Sequence, residues 1–290
     1  MRPSPTRRGA IVGAAAALAA GPAFAATDPF AQLEHSIGGR LGVAALDVTS
    51  GARLGHRAGE RFPMCSSFKL LAASAMLRRV DEGREHLDRF IPYGPADLLD
   101  YAPMTKAHVK DGGLPLGDLC QAAVELSDNT AANLILRQLG GPAAVTAFAR
   151  GLGDPVSRLD RTEPTLNTAI PGDPRDTTSP AAIMADLRVL SLGDALKPAS
   201  RARLNGWLTD CKTGLTRLRA GFPAGWRVGD KTGTGVNGTA NDVAIAWAPG
   251  GPILIACYLT EAARASDAAR DAVHAQVARI VVDRFRGLHG

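Results

Sequence analysis

Apolar and polar positions alternate with two different periods along this chain, and the change of period divides it into three stretches. Asp28 to Glu34 carries a short helical pattern with Asp28 placed to cap it. Gly42-Val43-Ala44-Ala45-Leu46-Asp47-Val48 reads as a strand, Thr49-Ser50-Gly51 as a turn, and Ala52 to Arg57 as a returning strand, which predicts a hairpin. From Pro63 to about Leu208 the period becomes helical, with helices predicted over 66–80, 116–126, 129–139, 142–151, 179–191 and 198–208. Strand patterning resumes at Trp226, over 226–231, 242–247 and 253–258. An amphipathic helix over about 266–285 follows. Strands at both ends with helices between imply an α+β fold: one sheet unit assembled from 26–62 and 210–290, and a helical unit, 63–209, packed on it. The longest aperiodic stretch, 157–178, is rich in Pro, Asp and Thr. A loop of that length inside a compact domain is usually functional or disordered.

The run Phe68 to Leu77 is apolar, rich in helix formers and free of Gly and Pro, so it predicts a buried helix. Pro63 lies just upstream, where a helix start tolerates it. Ser66 and Lys69 then stand three residues apart in the first turn, on one face. A Ser hydroxyl is a weak nucleophile until a base takes its proton, and a desolvated Lys can be that base. The helix N-terminus adds N–H groups and a partial positive charge that favour an oxyanion. The S-x-x-K spacing also arises by chance, so its weight depends on what accompanies it.

Three further groups do accompany it. Ser127-Asp128-Asn129 ends one helical pattern and starts the next. These residues serve equally as helix caps or as a proton-shuttling hydroxyl (Ser127) and a substrate-holding amide (Asn129), with Asp128 bracing the turn. Arg161-Thr162-Glu163-Pro164-Thr165-Leu166-Asn167 lies in the aperiodic loop, whose active part is 161–176. Pro164 turns Glu163 away from helical geometry. Glu163 can act as a general base on a water that Asn167 helps to hold, and Arg161 with Asp176 can bridge the loop ends. An ordinary charged surface loop reads the same way. Asp230-Lys231-Thr232-Gly233-Thr234-Gly235 sits on a strand, where period two puts Thr232 and Thr234 on one face beside a Gly that leaves room for a ligand. With Lys231 and Arg217 these hydroxyls suit a carboxylate. A strand ending in a Gly turn is the plainer account.

Composition adds less. The chain has 290 residues, 46% hydrophobic and 21% charged, enough for one large domain or two intertwined ones. The formal charge is +5, but Arg2, Arg7 and Arg8 supply three of the positive charges and no acid precedes Asp28, so +2 remains beyond that segment. With no long basic run, nucleic acid is not an expected partner. Arg7-Arg8, the apolar run Ala10 to Ala20 and Ala23-Phe24-Ala25 read as a cleaved export signal over 1–25, with the paired arginines pointing to the twin-arginine route. The apolar run is too short to span a bilayer, and no later segment is long enough. A soluble, periplasmic or secreted protein is expected. Cys65, Cys120, Cys211 and Cys257 permit disulfides or remain free and buried. The absence of C-x-x-C and of a close His/Cys cluster argues against zinc.

Taken together in this order, S-x-x-K, S-D-N and K-T-G mark class A β-lactamases and penicillin-binding proteins. The sequence resembles the class A serine β-lactamases over nearly all of the chain after residue 25. Cys65-Ser66-Ser67-Phe68-Lys69, Tyr101-Ala102-Pro103, Ser127-Asp128-Asn129, Glu163-Pro164-Thr165-Leu166-Asn167 and Lys231-Thr232-Gly233-Thr234 carry the resemblance. Glu163 with Asn167 discriminates most, because it separates β-lactamases from the transpeptidases and carboxypeptidases.

The resemblance implies a mainly antiparallel sheet with terminal helices, a helical domain, and a site between them. It implies hydrolysis of penicillins and cephalosporins by a cyclic amide hydrolase that confers antibiotic resistance, without metal or organic cofactor, in a monomer. Ser66 would form the acyl-enzyme. Backbone N–H groups of Ser66 and Thr234 would make the oxyanion hole. The acylation base is disputed between the Lys and the Glu, here Lys69 and Glu163. Ser127, bonded to Lys231, would protonate the leaving nitrogen. Glu163 with Asn167 would activate the deacylating water. Tyr101 would line the mouth of the site, and Thr232, Thr234 and Arg217 would bind the substrate carboxylate beside Asn129. A cis Glu163-Pro164 peptide is expected.

Two family disulfides are not expected: Ala73 stands opposite Cys120, and Gly235 replaces the partner of Cys65 that carbapenemases often have. A DD-peptidase, an acylated but non-hydrolytic sensor and a glutaminase-like amidase are the rival readings. Glu163 and Asn167 oppose the first. The presence of that base and the lack of a membrane span oppose the second, and the Glu-Pro loop opposes the third.

Overall fold

The computed structural model describes residues 28–287, so the expected export signal over 1–25 lies outside the described residues. The chain opens with helix α1 (Pro29–Ile37), capped by the Asp28 carboxylate, which accepts from Phe30 N at 2.9 Å, and closed by Gly38 in the left-handed region at φ 67°. Strands β1 (Arg40–Asp47) and β2 (Arg53–His56) form the expected hairpin. A two-residue strand, β3 (Phe62–Pro63), leads to α2 (Phe68–Asp81), and then come β4 (Phe90–Pro92), α3 (Pro103–Ala107) and β5 (Gly113–Pro115). Helices α4 (Leu116–Glu125), α5 (Asn129–Leu139) and α6 (Pro142–Gly151) follow. Next are β6 (Thr177–Thr178), α7 (Pro180–Ser191) and α8 (Pro198–Thr209). The chain finishes with β7 (Arg227–Gly235), β8 (Thr239–Ala248), β9 (Gly251–Thr260) and α9 (Asp267–Arg286).

The main sheet is antiparallel with strand order β2-β1-β9-β8-β7, so its two halves come from opposite ends of the chain. Its central strands are buried on both faces, which is why they read as continuous apolar runs. Period two divides them cleanly. Leu254, Ala256 and Tyr258 of β9 face the helical side with Phe62, Phe68 and Leu71. Ile253, Ile255, Cys257 and Leu259 face Phe30 of α1 and Val273, Val277, Val281 and Phe285 of α9. Full burial of such a side chain stabilises the fold by roughly 2 kcal/mol, so both layers hold the sheet firmly. Strand β7 is left at the sheet edge with one unpaired side.

Several expectations need correction. Ser66 is not in the first turn of an α-helix. Cys65–Ser67 forms a 3₁₀ turn ahead of α2, entered through Cys65 at φ 45° and tied by Ser67 Oγ donating to Met64 O at 2.7 Å. The strand expected from Trp226 begins at Arg227 and runs unbroken through the expected strand segment Asp230–Gly235, where Thr232, Gly233 and Thr234 pair with Asp242, Asn241 and Ala240, and the turn falls at Val236–Gly238. The aperiodic stretch 157–178 is not free of structure. Arg158 bridges to Thr177, and Thr165–Thr168 forms a 3₁₀ turn. Short pairs β3–β6 and β4–β5 were invisible at their length. All four cysteines are free and buried, which decides between the two readings left open above. Among the described residues no helix is long and apolar enough to cross a membrane.

Candidate active site

Three elements converge on the turn that carries Ser66. Strand β7 lies so close that a Cβ on Gly233 would stand 2.6 Å from Met64 O, and one on Gly235 would stand 2.6 Å from Cys65 Sγ and 2.8 Å from Asn167 O. Only glycine lets the strand approach at these two places. Val236 N donates to Asn167 O at 2.9 Å, which ties loop 161–176 to the end of the same strand. From the other side α5 begins at Asn129. Its cap residue Asp128 accepts from Ala131 N at 2.8 Å, from Met104 N at 3.0 Å and from Thr105 N at 2.9 Å. That carboxylate therefore braces the S-D-N turn, where Ser127 is held at φ 57°.

Around Ser66 the hydroxyls, amines and carboxylate form one hydrogen-bonded group. Ser66 Oγ donates to Glu163 Oε1 at 3.1 Å and accepts from Lys69 Nζ at 2.9 Å. Lys69 Nζ also donates to Asn129 Oδ1 at 2.6 Å and Ser127 O at 2.8 Å, and lies 3.0 Å from Glu163 Oε1. Asn167 Nδ2 donates to Glu163 Oε2 at 2.5 Å. Lys231 Nζ donates to Ser127 Oγ at 3.1 Å. Burial pushes the Lys69 amine below its ordinary pKa while the adjacent Glu163 pulls it back up. Burial likewise lowers Lys231, to about 8, with Lys69 adding repulsion and Asp230 and Asp242 opposing it. At about 8 the Lys231 ammonium is poised to change protonation just above neutral pH.

The cleft beside this group has a volume of about 580 Å³ and is lined by Ser66, Tyr101, Ser127, Asn129, Asn167, Arg217, Thr232 and Thr234, with Lys212 and Thr213. Lys69, Glu163 and Lys231 stand behind its wall, fully or almost fully buried. Tyr101 sits on the rim, 53% exposed. Arg217 is buried. Its Nη2 donates to Thr234 Oγ1 at 2.8 Å, and its Nη1 donates to Gly233 O at 2.9 Å and Asn241 O at 2.8 Å. The expected catalytic and substrate-binding residues therefore all stand in or directly behind one cleft. The expected bridge across the loop ends is also present: Arg161 Nε meets Asp176 Oδ2 at 2.5 Å. The Glu163–Pro164 peptide is cis.

Sequence reading missed three supporting residues. Asn133 donates from Nδ2 to Glu163 O and accepts from Glu163 N, both at 2.9 Å. It lies four residues after Asn129 on α5, so helical spacing was its only signal. Asp271 of α9 accepts from Arg217 Nε at 2.8 Å. Thr213 meets Thr232, hydroxyl to hydroxyl, at 2.5 Å. The last two lie in other parts of the chain and carry no local motif.

A family model described as the β-lactamase enzyme family matches residues 26–285. The chain is 51% identical over 262 residues to β-lactamase AST-1 of Nocardia asteroides, covering 89% of this chain and 84% of that one. It is 48% identical over 265 residues to the carbapenem-hydrolysing β-lactamase KPC of Klebsiella oxytoca, covering 91% and 89%. The solved class A β-lactamase of the last common ancestor of Gram-negative bacteria superposes with a TM-score of 0.86 at 62% identity, over 88% of this chain and 97% of that one. This chain belongs to the class A β-lactamases, serine enzymes that hydrolyse β-lactams and so confer antibiotic resistance.

Proposed function

We propose a division of labour for the site, with penicillins and cephalosporins as substrates. Ser66 Oγ attacks the β-lactam carbonyl carbon, the ring C–N bond breaks, and an acyl-enzyme ester forms. The Ser66 proton passes to Glu163, towards which the hydroxyl is directed, while Lys69 holds the Ser66 oxygen from the other side. N–H groups of Ser66 and Thr234 stabilise the tetrahedral oxyanion. Ser127, held by Lys231, delivers its proton to the departing nitrogen and is reprotonated through Lys69 with the proton that Glu163 took, which leaves Glu163 a carboxylate again before water enters. Glu163 then takes a proton from a water held with Asn167. That water attacks the ester, and Ser66 recovers its proton as the product acid leaves. Thr232, Thr234 and Arg217 receive the substrate carboxylate, Asn129 its side-chain amide, and Tyr101 covers the mouth. The placement of Ser66 Oγ between Lys69 Nζ and Glu163 Oε1 carries this reading.

The same reading includes export of the chain, by the twin-arginine route, to the periplasm or the medium, and action as a monomer. It assigns the sheet unit to 26–62 with 210–290 and the helical unit to 63–209, with the cleft where they meet. Turnover of benzylpenicillin and of a chromogenic cephalosporin, followed beside intact mass for wild type and Glu163→Ala, tests the roles. Many turnovers by wild type and a persistent acyl adduct on the variant are expected. A stable adduct on wild type without turnover would overturn the deacylation role.

A further inference from the structure

The loop between α8 and the Arg217 turn delivers more than Arg217 to the cleft. Lys212 N donates to Glu125 O at 2.9 Å, which pins the start of the loop to the end of α4, and Arg217 N donates to Gly214 O at 3.1 Å, which closes a turn within it. Gly214 lies so close over β7 that a Cβ there would meet Asp230 Oδ1 at 2.3 Å. This seating places Thr213 above Thr232, with their Oγ1 atoms 2.5 Å apart. On its other side Thr213 Oγ1 is 3.3 Å from Cys211 Sγ. Both threonines line the cleft. Cys211, Thr213 and Thr232 thus form a continuous chain of one thiol and two hydroxyls that ends where the substrate carboxylate is received.

We infer that Thr213 is a positioning residue that donates its hydroxyl proton to Thr232 Oγ1 and thereby directs the Thr232 proton at the substrate carboxylate. The inference rests on the reading that Thr232 meets that carboxylate. A carboxylate only accepts, so Thr232 must spend its single proton on it. Thr213 must then be the donor in the short bond between the two hydroxyls. Its oxygen also lies 3.3 Å from Cys211 Sγ, a thiol that keeps its proton because burial first, and the neighbouring Asp230 carboxylate next, push it up to about 11. Each donor in such a chain polarises the next, and the last one faces the negative charge. The arrangement exists before substrate arrives, so Thr232 need not be reoriented on binding. Its effect belongs to binding of the carboxylate and not to the bond-breaking step.

The test compares benzylpenicillin with its methyl ester, which lacks the carboxylate charge. Thr213→Val keeps the shape and removes the hydroxyl, and Thr213→Ser restores it. Thr213→Val is expected to raise KM for benzylpenicillin about tenfold with kcat changed less than twofold, roughly what one hydrogen bond to a charged group supplies. The ester should lose much less, and Thr213→Ser should recover the wild-type KM. In a Thr232→Val background the added Thr213→Val should cost nothing further, because the two act as one unit. If Thr232→Val discriminates acid from ester but Thr213→Val does not, the positioning role is overturned and the carboxylate reading stands. If Thr232→Val itself weakens acid and ester alike, the carboxylate reading fails. Additive losses in the double variant would also overturn the proposal. If thermal melting shows Thr213→Val to be misfolded, the same comparison is read from Thr213→Ala against Thr213→Ser.

Discussion

Asn133 clamps Glu163 through both of its backbone groups, donating to the carbonyl oxygen and accepting from the N–H at 2.9 Å each. The carboxylate that faces Ser66 is therefore aimed by a helix residue 30 positions earlier in the chain. Asn133→Leu fills a similar volume and removes both bonds, leaving an N–H and a C=O without partners in a buried place. Loss of about 2 kcal/mol is expected, with a fall in melting temperature of about 4–8 °C. Because the ion pair of Arg161 with Asp176 still closes the loop, the main kinetic effect should be slow deacylation. Intact mass during penicillin turnover should show accumulated acyl-enzyme. A variant that melts lower but never accumulates the adduct would show that the clamp serves stability alone.

Lys231 gives the alkaline limb of the pH profile. With burial lowering its pKa to about 8, the ammonium that donates to Ser127 Oγ is lost as pH rises through that value. kcat/KM should therefore fall above pH about 8. Lys231→Arg keeps a cation at all accessible pH values and should move this limb upward by more than one unit, whatever it does to the plateau. An unmoved limb would assign the titration to another group, with Lys69 the first to examine.

Asp186 of α7 carries a second pH effect, beside Asp154. Its carboxyl is buried, and burial first and the neighbouring Asp154 second push its pKa up to about 9, with Arg150 opposing. Asp154 is itself occupied, accepting from Val156 N at 2.6 Å and Ser157 N at 3.0 Å. The folded chain keeps a proton on Asp186 that the unfolded chain releases near pH 4. Stability from this site is thus fully present below about pH 4 and lost progressively as pH rises to about 9. Asp186→Asn needs no proton and can still donate to Asp154. It should stabilise the protein at pH 8 by an amount on the order of a few kcal/mol and have little effect at pH 4. Urea midpoints of both proteins at pH 4, 6 and 8 check this. A gap between them that does not widen with pH would refute it.

What could be read from the chain divides along physical lines. The helices from 116 to 209 and the strands of the main sheet were legible because each is long enough to express its own period. Ser66, Lys69, Ser127, Asn129, Glu163, Asn167 and the Lys231–Thr234 run were legible because each sits in a short motif. The 3₁₀ turn at Cys65–Ser67 was not, since it depends on β7 pressing against Met64 and on Ser67 bonding back to Met64 O. Asn133, Thr213 and Asp271 were not legible either. Each acts through a residue that only the folded chain brings near; Asn133 had only its helical spacing from Asn129 as a signal, and nothing in their own neighbourhoods distinguishes Thr213 and Asp271 from other loop or helix residues.

The close approach at Gly235 predicts a bond that the chain does not have. A Cβ built there stands 2.6 Å from Cys65 Sγ, so the two positions are near enough for a disulfide after a small adjustment. Gly235→Cys should oxidise spontaneously in air, with a mass loss of about two hydrogens and two fewer titratable thiols than the reduced variant. The same Cβ stands 2.8 Å from Asn167 O, so the bridge must move the turn that helps to hold Glu163. Penicillin deacylation should therefore slow when the bridge forms and recover on reduction. Gly235→Ala separates the two effects: it places the Cβ against Asn167 O but can form no bridge, so its turnover should be lowered equally with and without reductant. If Gly235→Cys remains reduced in air, the strand and the Ser66 turn are farther apart in solution than this geometry requires.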